Sequence, residues 1–239
     1  MFTHQPIHLK SVFAECWQKV RGSKLAFFLP FFTLIVLQLL LMLLTRELAS
    51  LPSWLNFIIS LILPIILTTP LLAGLGMVGV KHLRQEPLSW SSGFQYYRIV
   101  PQLFIAYLIS VILVWLILMI IGFAGILLMR LLHVDFHFQL HFGPVLSVAI
   151  IILALILMCA KTLLLFNLLL VADQGGSPLT AWWSSIKMVW PHFGKVLLAV
   201  ILFSLINLAG LILVGVGLIW TIPFAFLVIA KLYLLCQEH

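Results

Sequence analysis

Six stretches of this chain are apolar for roughly the 20 residues a helix needs to cross a hydrocarbon core about 30 Å thick. They cover 25–44, 54–80, 101–129, 144–171, 194–217 and 218–236. The composition leaves no other use for them. Of 239 residues, 64% are hydrophobic and only 8% charged, where a soluble chain needs about a quarter charged. Soluble enzymes, nucleic-acid-binding domains and disordered regulators are thereby excluded, and an all-α integral membrane protein with six transmembrane helices is expected. The formal charge of +7 is a topology signal in such a chain.

The second, third and fourth runs exceed the minimum, so they are expected to tilt or kink, with Pro64 and Pro70 as kink sites in the second. Gly215, Gly217, Thr221 and Pro223 mark the expected reversal between the fifth and sixth. The first 24 residues are amphipathic and basic, and the run behind them is longer than a signal-peptide core, so the first span is expected to be retained. Three cysteines, Cys16, Cys159 and Cys236, are too few and scattered for a disulfide framework or metal knuckle.

Charge gives direction. With the N-terminus inside, the cytoplasmic side holds Lys10, Lys19, Arg21, Lys24, Lys81, Arg84, Arg98, Lys187, Lys195 and Lys231, and the outside only Arg46 and Arg130. Lys161 falls within a span. Positive residues stay inside, so both termini are expected to be cytoplasmic.

A repeat underlies the spans. Pro87-Leu88-Ser89-Trp90 and Pro178-Leu179-Thr180-Ala181 open similar stretches, followed by Pro101 and Pro191 and then by an apolar span. Pro6-Ile7-His8 and Lys24 fit the same register. The chain reads as one membrane domain, 1–239, of three parallel units at approximately 6–81, 87–171 and 178–236, each an interfacial helix and a transmembrane hairpin. In the first interfacial helix Leu9, Val12, Phe13, Cys16, Trp17 and Val20 recur at helical spacing. In the third, Leu179, Trp182, Trp183, Ile186, Val189 and Trp190 do so, with Ser177 as cap and Pro178 in the first turn. In the second, Trp90, Phe94 and Tyr97 make a stripe that Gly93 interrupts. Such helices belong in the headgroup layer, with basic residues toward anionic phosphates. They anchor the hairpins or, alternatively, recognise lipid heads.

Ala172-Asp173-Gln174-Gly175-Gly176-Ser177-Pro178-Leu179-Thr180-Ala181, then Ser184-Ser185, together with Ile222-Pro223 and Tyr233, carry a resemblance. The chain resembles the YciC-like six-span bacterial inner-membrane proteins, and it is similar to the membrane domain fused to some glycerophosphodiester phosphodiesterases. The resemblance implies a bacterial cytoplasmic membrane location and no assigned activity. The phosphodiesterase chemistry does not carry over, because its separate barrel takes about 250 residues.

Catalytic material is sparse. The acids Glu15, Glu47, Glu86, Asp135, Asp173 and Glu238 all fall outside the spans, and no pair stands at hydrolase spacing. No zinc-protease, phosphate-loop or nucleophile-elbow motif is present. Gly74, Gly76 and Gly79 read as close helix packing. His133, His137 and His141, alternating with apolar residues beside Asp135 and Gln139, converge as strand or helix and are the one metal candidate, for zinc or copper; the competing reading is an interfacial loop with wet histidines. Lys161 either snorkels to the cytoplasmic edge or faces a cavity with Asn167 and Asn207, amides that otherwise bond across helices.

The expected function is therefore a non-enzymatic membrane protein without cofactor, binding membrane lipids, anionic headgroups above all, or a protein partner or second copy, and no nucleic acid. The alternative is a small transporter or channel for a lipid or polar solute, with Lys161, Asn207, Thr68 and Thr69 as the visible material for a path.

Overall fold

The computed structural model describes residues 7–89, 91–131, 143–212 and 217–237, and every regular element among them is helical. In chain order these are α1 (Leu9–Glu47), α2 (Ser53–Leu83), α3 (Val100–Leu131), α4 (Gly143–Leu163), α5 (Asn167–Gln174), α6 (Pro178–Val189), α7 (Phe193–Ile212) and α8 (Leu218–Gln237). Short 3-10 segments occupy Leu48–Ser50, Ser92–Ile99 and Trp190–His192. Six stretches are long and apolar enough to cross a membrane. The chain is an integral membrane protein of six helical spans.

Four local expectations change. The first interfacial helix is not separate, because α1 runs unbroken from Leu9 through the whole first span. Pro30 lies inside it, where neighbouring helices make such a proline tolerable. The second interfacial stretch is a 3-10 segment, Ser92–Ile99, shaped by the close packing of Gly93. The fourth span is broken at 164–166, between α4 and α5. Pro223 and Thr221 lie within α8 rather than in the reversal before it; residues 213–216, including Gly215, fall outside the described set. Ser177 caps α6 as expected, its Oγ accepting from the Thr180 N–H at 3.3 Å, with Pro178 in the first turn.

Much of the buried core is carried by α2, α5 and α8. A side chain on Gly76 would strike Leu169 Cδ2 at 2.7 Å, and one on Gly79 would strike the Ala230 Cβ and the Phe226 carbonyl oxygen at 3.0 Å each. Glycine there lets α2 lie against α5 and α8, the close packing read from the sequence. Val78, Leu170, Phe166, Leu227 and Tyr233 are buried at this junction, and the Phe166 and Tyr233 rings meet edge to face at 5.6 Å. Outward-facing residues such as Met42, Phe57, Phe123 and Ile212 are exposed and apolar, the surface that lipid covers.

Ser92–Ile99, α6 and the first turns of α1 are each held on neighbouring helices. Tyr97 donates its hydroxyl to the Leu67 carbonyl at 2.8 Å, and Ser185 to the Leu163 carbonyl at 2.8 Å. Phe13 and Trp17 of α1 meet Phe224 edge to face at 5.4 and 5.5 Å. Tyr97 and Trp17 make these contacts while remaining partly exposed.

Candidate functional site

At the basic end of the bundle, the closing turns of α2, α5 and α8 are tied by three side chains. Arg84 donates two parallel hydrogen bonds to Asp173, Nη1 to Oδ1 at 2.7 Å and Nη2 to Oδ2 at 2.8 Å. The Tyr233 hydroxyl donates to the same Oδ2 at 2.9 Å and accepts from Gln237 Nε2 at 3.1 Å. Local backbone geometry aims these groups. Arg84 caps α2, and the Gln85 N–H bonds the His82 carbonyl at 3.2 Å and the Glu86 N–H the Lys81 carbonyl at 3.0 Å. That is a Schellman ending, built here with Gln85 at φ +60° where glycine is usual. Gly175, at φ +64°, closes α5 with its N–H on the Val171 carbonyl. Asp173 therefore sits in the last turn of α5, where the helix dipole disfavours an anion. Arg84 and Tyr233 offset that penalty, and the carboxylate raises the Arg84 guanidinium further above its ordinary range.

A second ionic contact docks α1 on α8. Glu15 takes Lys231 and Lys19, each at 2.9 Å. The hydrogen bond from Lys231, then that from Lys19, holds the Glu15 carboxyl below its usual range. A depressed folded-state value means that this contribution is present above the unfolded pKa, about 4.3, and is lost as pH falls through the folded value. Thermal unfolding scans should show the wild type matching its own pH 7 midpoint down to about pH 5 and converging with Glu15→Gln only below about pH 4. A difference between wild type and Glu15→Gln that vanished already at pH 6 would refute the pairing. Cys16, one residue on, is fully buried, and burial pushes its thiol up to about 12, which leaves it a poor nucleophile.

The exposed residues of α1, of the 3-10 segment Ser92–Ile99 and of α6 include rings and cations close in sequence, although Trp17 also packs on Phe224 and the Leu67 carbonyl holds the Tyr97 hydroxyl. Trp17 and Arg21 on α1, Tyr97 and Arg98 on the 3-10 segment Ser92–Ile99, and Trp183 and Lys187 on α6 are all exposed. Lys187 Nζ lies 5.6 Å from the Trp183 ring centroid. Trp190 and Lys195, where α6 passes into α7, repeat the combination. Trp183 and Lys187 are in contact, and the other rings and cations lie within five residues of each other in sequence.

Within the spans, the structure brings Lys161 and Asn167 together and leaves Asn207 elsewhere. They line one cleft of about 430 Å³ between α3 and the α4–α5 break, with Tyr107, Ser110 and Trp115. Asn167 bonds across helices, Nδ2 to the Ala106 carbonyl and to Ser110 Oγ, both at 2.9 Å. Asn207 lies on α7, apart from the residues that line this cleft, and its Oδ1 is buried without a hydrogen-bond partner among the described residues. Thr68 and Thr69 donate to their own helix, to the Pro64 and Ile65 carbonyls at 2.8 and 2.6 Å, and neither lines this cleft. His133, His137 and His141 lie outside the described residues; among those described, no three His, Cys, Asp or Glu side chains gather at metal-binding distance.

The sequence reading missed the Arg84–Asp173–Tyr233 unit. In the sequence Asp173 is one acid outside the spans, and both it and Tyr233 are among the residues that carry the resemblance. Compared with known protein families, curated proteins and solved structures, the chain matches none.

Proposed function

We propose that this protein binds membrane lipid through its basic end and performs no catalysis, with both termini on the cytoplasmic side of a bacterial inner membrane. The observation that carries this reading is the set of exposed rings and cations, Trp17 and Arg21 on α1, Tyr97 and Arg98 on Ser92–Ile99, and Trp183 in contact with Lys187 on α6. Aromatic rings settle at the headgroup boundary, and cations beside them attract anionic lipid. Three such groups act on one leaflet together, so their preferences multiply. The three-unit reading has support from the tip as well, because Arg84, Asp173 and Tyr233 come from the ends of α2, α5 and α8, one per hairpin. A protein partner or second copy would meet the same rim.

The rim is tested by neutralising it. Each basic residue near an anionic surface contributes about 1 kcal/mol, so Arg21→Gln/Arg98→Gln/Lys187→Gln should lower phosphatidylglycerol enrichment around the protein by roughly tenfold or more. Quantitative lipid analysis of particles extracted from vesicles of equal phosphatidylglycerol and phosphatidylcholine reads this directly. Equal enrichment in the triple variant and the wild type would sink the proposal.

The alternative, a small transporter, draws on one feature, the break in the fourth span beside Lys161. Interrupted spans recur where transporters hold substrate. The cleft there opens sideways between helices, while the centre of the bundle is filled by Phe166, Tyr233 and Leu227. Binding is accordingly the leading reading.

A further inference from the structure

We propose that the Lys161 cleft is a site for one phospholipid whose head carries a phosphate and a hydroxyl donor, as phosphatidylglycerol does. This goes beyond the rim and stands independently of it, since Arg21, Arg98 and Lys187 take no part in the cleft.

The cleft is chemically incomplete in two ways. Lys161 is exposed in a run that is otherwise apolar, and no acid pairs with it among the described residues. It stands in the last turn of α4, where the dipole of the helix that ends at Leu163 accommodates a cation but supplies no counter-anion. Asn167 is 98% buried, at 2% exposure. Both of its amide contacts use Nδ2, and its Oδ1 has no donor among the described residues. The amide cannot be turned round to cure this, because the Ala106 carbonyl opposite Nδ2 accepts only. Lys161 lacks an anion, and Asn167, which lines the same cleft, has an amide oxygen short of a donor.

The remaining wall is apolar, formed by Val111, Val114, Leu164 and Leu165 with Trp115 at one edge. A free phosphate would leave that wall uncovered; an acyl chain covers it. A phosphate on Lys161 and a glycerol hydroxyl on Asn167 Oδ1 complete both groups at once. The ammonium of phosphatidylethanolamine offers a donor but meets Lys161 as a like charge, and phosphatidylcholine offers no donor. The order of preference is therefore phosphatidylglycerol, then phosphatidylethanolamine, then phosphatidylcholine.

Native mass spectrometry of the full chain, extracted from vesicles containing the three lipids in equal amounts, tests this. The wild type should keep one phosphatidylglycerol after the loosely held lipids are stripped. Lys161→Gln should lower that occupancy by roughly tenfold, the loss of one charge-assisted hydrogen bond, and Lys161→Arg should retain it. The rim variant Arg21→Gln/Arg98→Gln/Lys187→Gln should also retain it. Equal retention of phosphatidylglycerol and phosphatidylcholine by the wild type, a comparison that needs no variant, would overturn the proposal, and so would full occupancy in Lys161→Gln. Displacement of the bound lipid by water-soluble glycerophosphoglycerol at matched concentration would make the site one for a free anion and would equally overturn it.

Discussion

Gly74→Ala should destabilise the protein by about 3 kcal/mol, the upper end of what overpacking a tight interior costs. A methyl group at residue 74 would overlap the Gly93 carbonyl, and Gly93 cannot retreat, because a Cβ built on it would already lie 2.5 Å from Pro30 Cγ. The three residues stack α2 on the backbone of the 3-10 segment Ser92–Ile99, and that segment on the rigid Pro30 ring of α1. No flexible side chain stands there to rotate away. Gly122→Ala is the matched control, since nothing lies within 4 Å of its Cβ position. Unfolding of both variants in mixed detergent, followed by tryptophan fluorescence, gives the comparison. Gly74→Ala as stable as Gly122→Ala would mean that the 3-10 segment does not pack where the structure puts it.

Asp173→Ala should cost about 2 kcal/mol, the penalty of leaving a guanidinium and a partly buried hydroxyl without their acceptor. The value stays below that of a fully buried pair because the Arg84 side chain is 33% exposed and water can solvate it. Tyr233 is the costlier orphan, being 0% exposed as a residue. A double-mutant cycle separates the pair from its surroundings. Arg84→Met combined with Asp173→Ala should be less damaging than the two single losses added together. Strict additivity in the same unfolding assay would show that the bidentate contact contributes nothing to the junction of α2 and α5.

Not all of this was equally open to reading. The cap at Ser177, the packing role of Gly76 and Gly79, and the amphipathic faces of α1 and α6 depend on residues within a turn or two of one another, so spacing reveals them. Gly93 is the instructive case. In the sequence it interrupts a stripe of Trp90, Phe94 and Tyr97; in the fold it is the point where two backbones and a proline touch, and the segment gives up α-helical geometry around it. Likewise, nothing in the run of leucines around Lys161 announces a break. Ser185, on another helix, takes up the Leu163 carbonyl at that break.

The number of spans and their order follow from local chemistry alone. Lipid tolerates only long apolar helices with their hydrogen bonds satisfied internally, and six such runs are written in the chain whatever surrounds them. Tertiary packing decided the rest. Arg84 and Asp173 are 89 residues apart, and Asp173 and Tyr233 are 60 apart, separations over which periodicity carries no information. Which acid meets which base, and which amide is left short of a donor beside Lys161, depend on how α2, α3, α5 and α8 come together. That arrangement is set by glycine contacts and helix ends acting between elements, not within them.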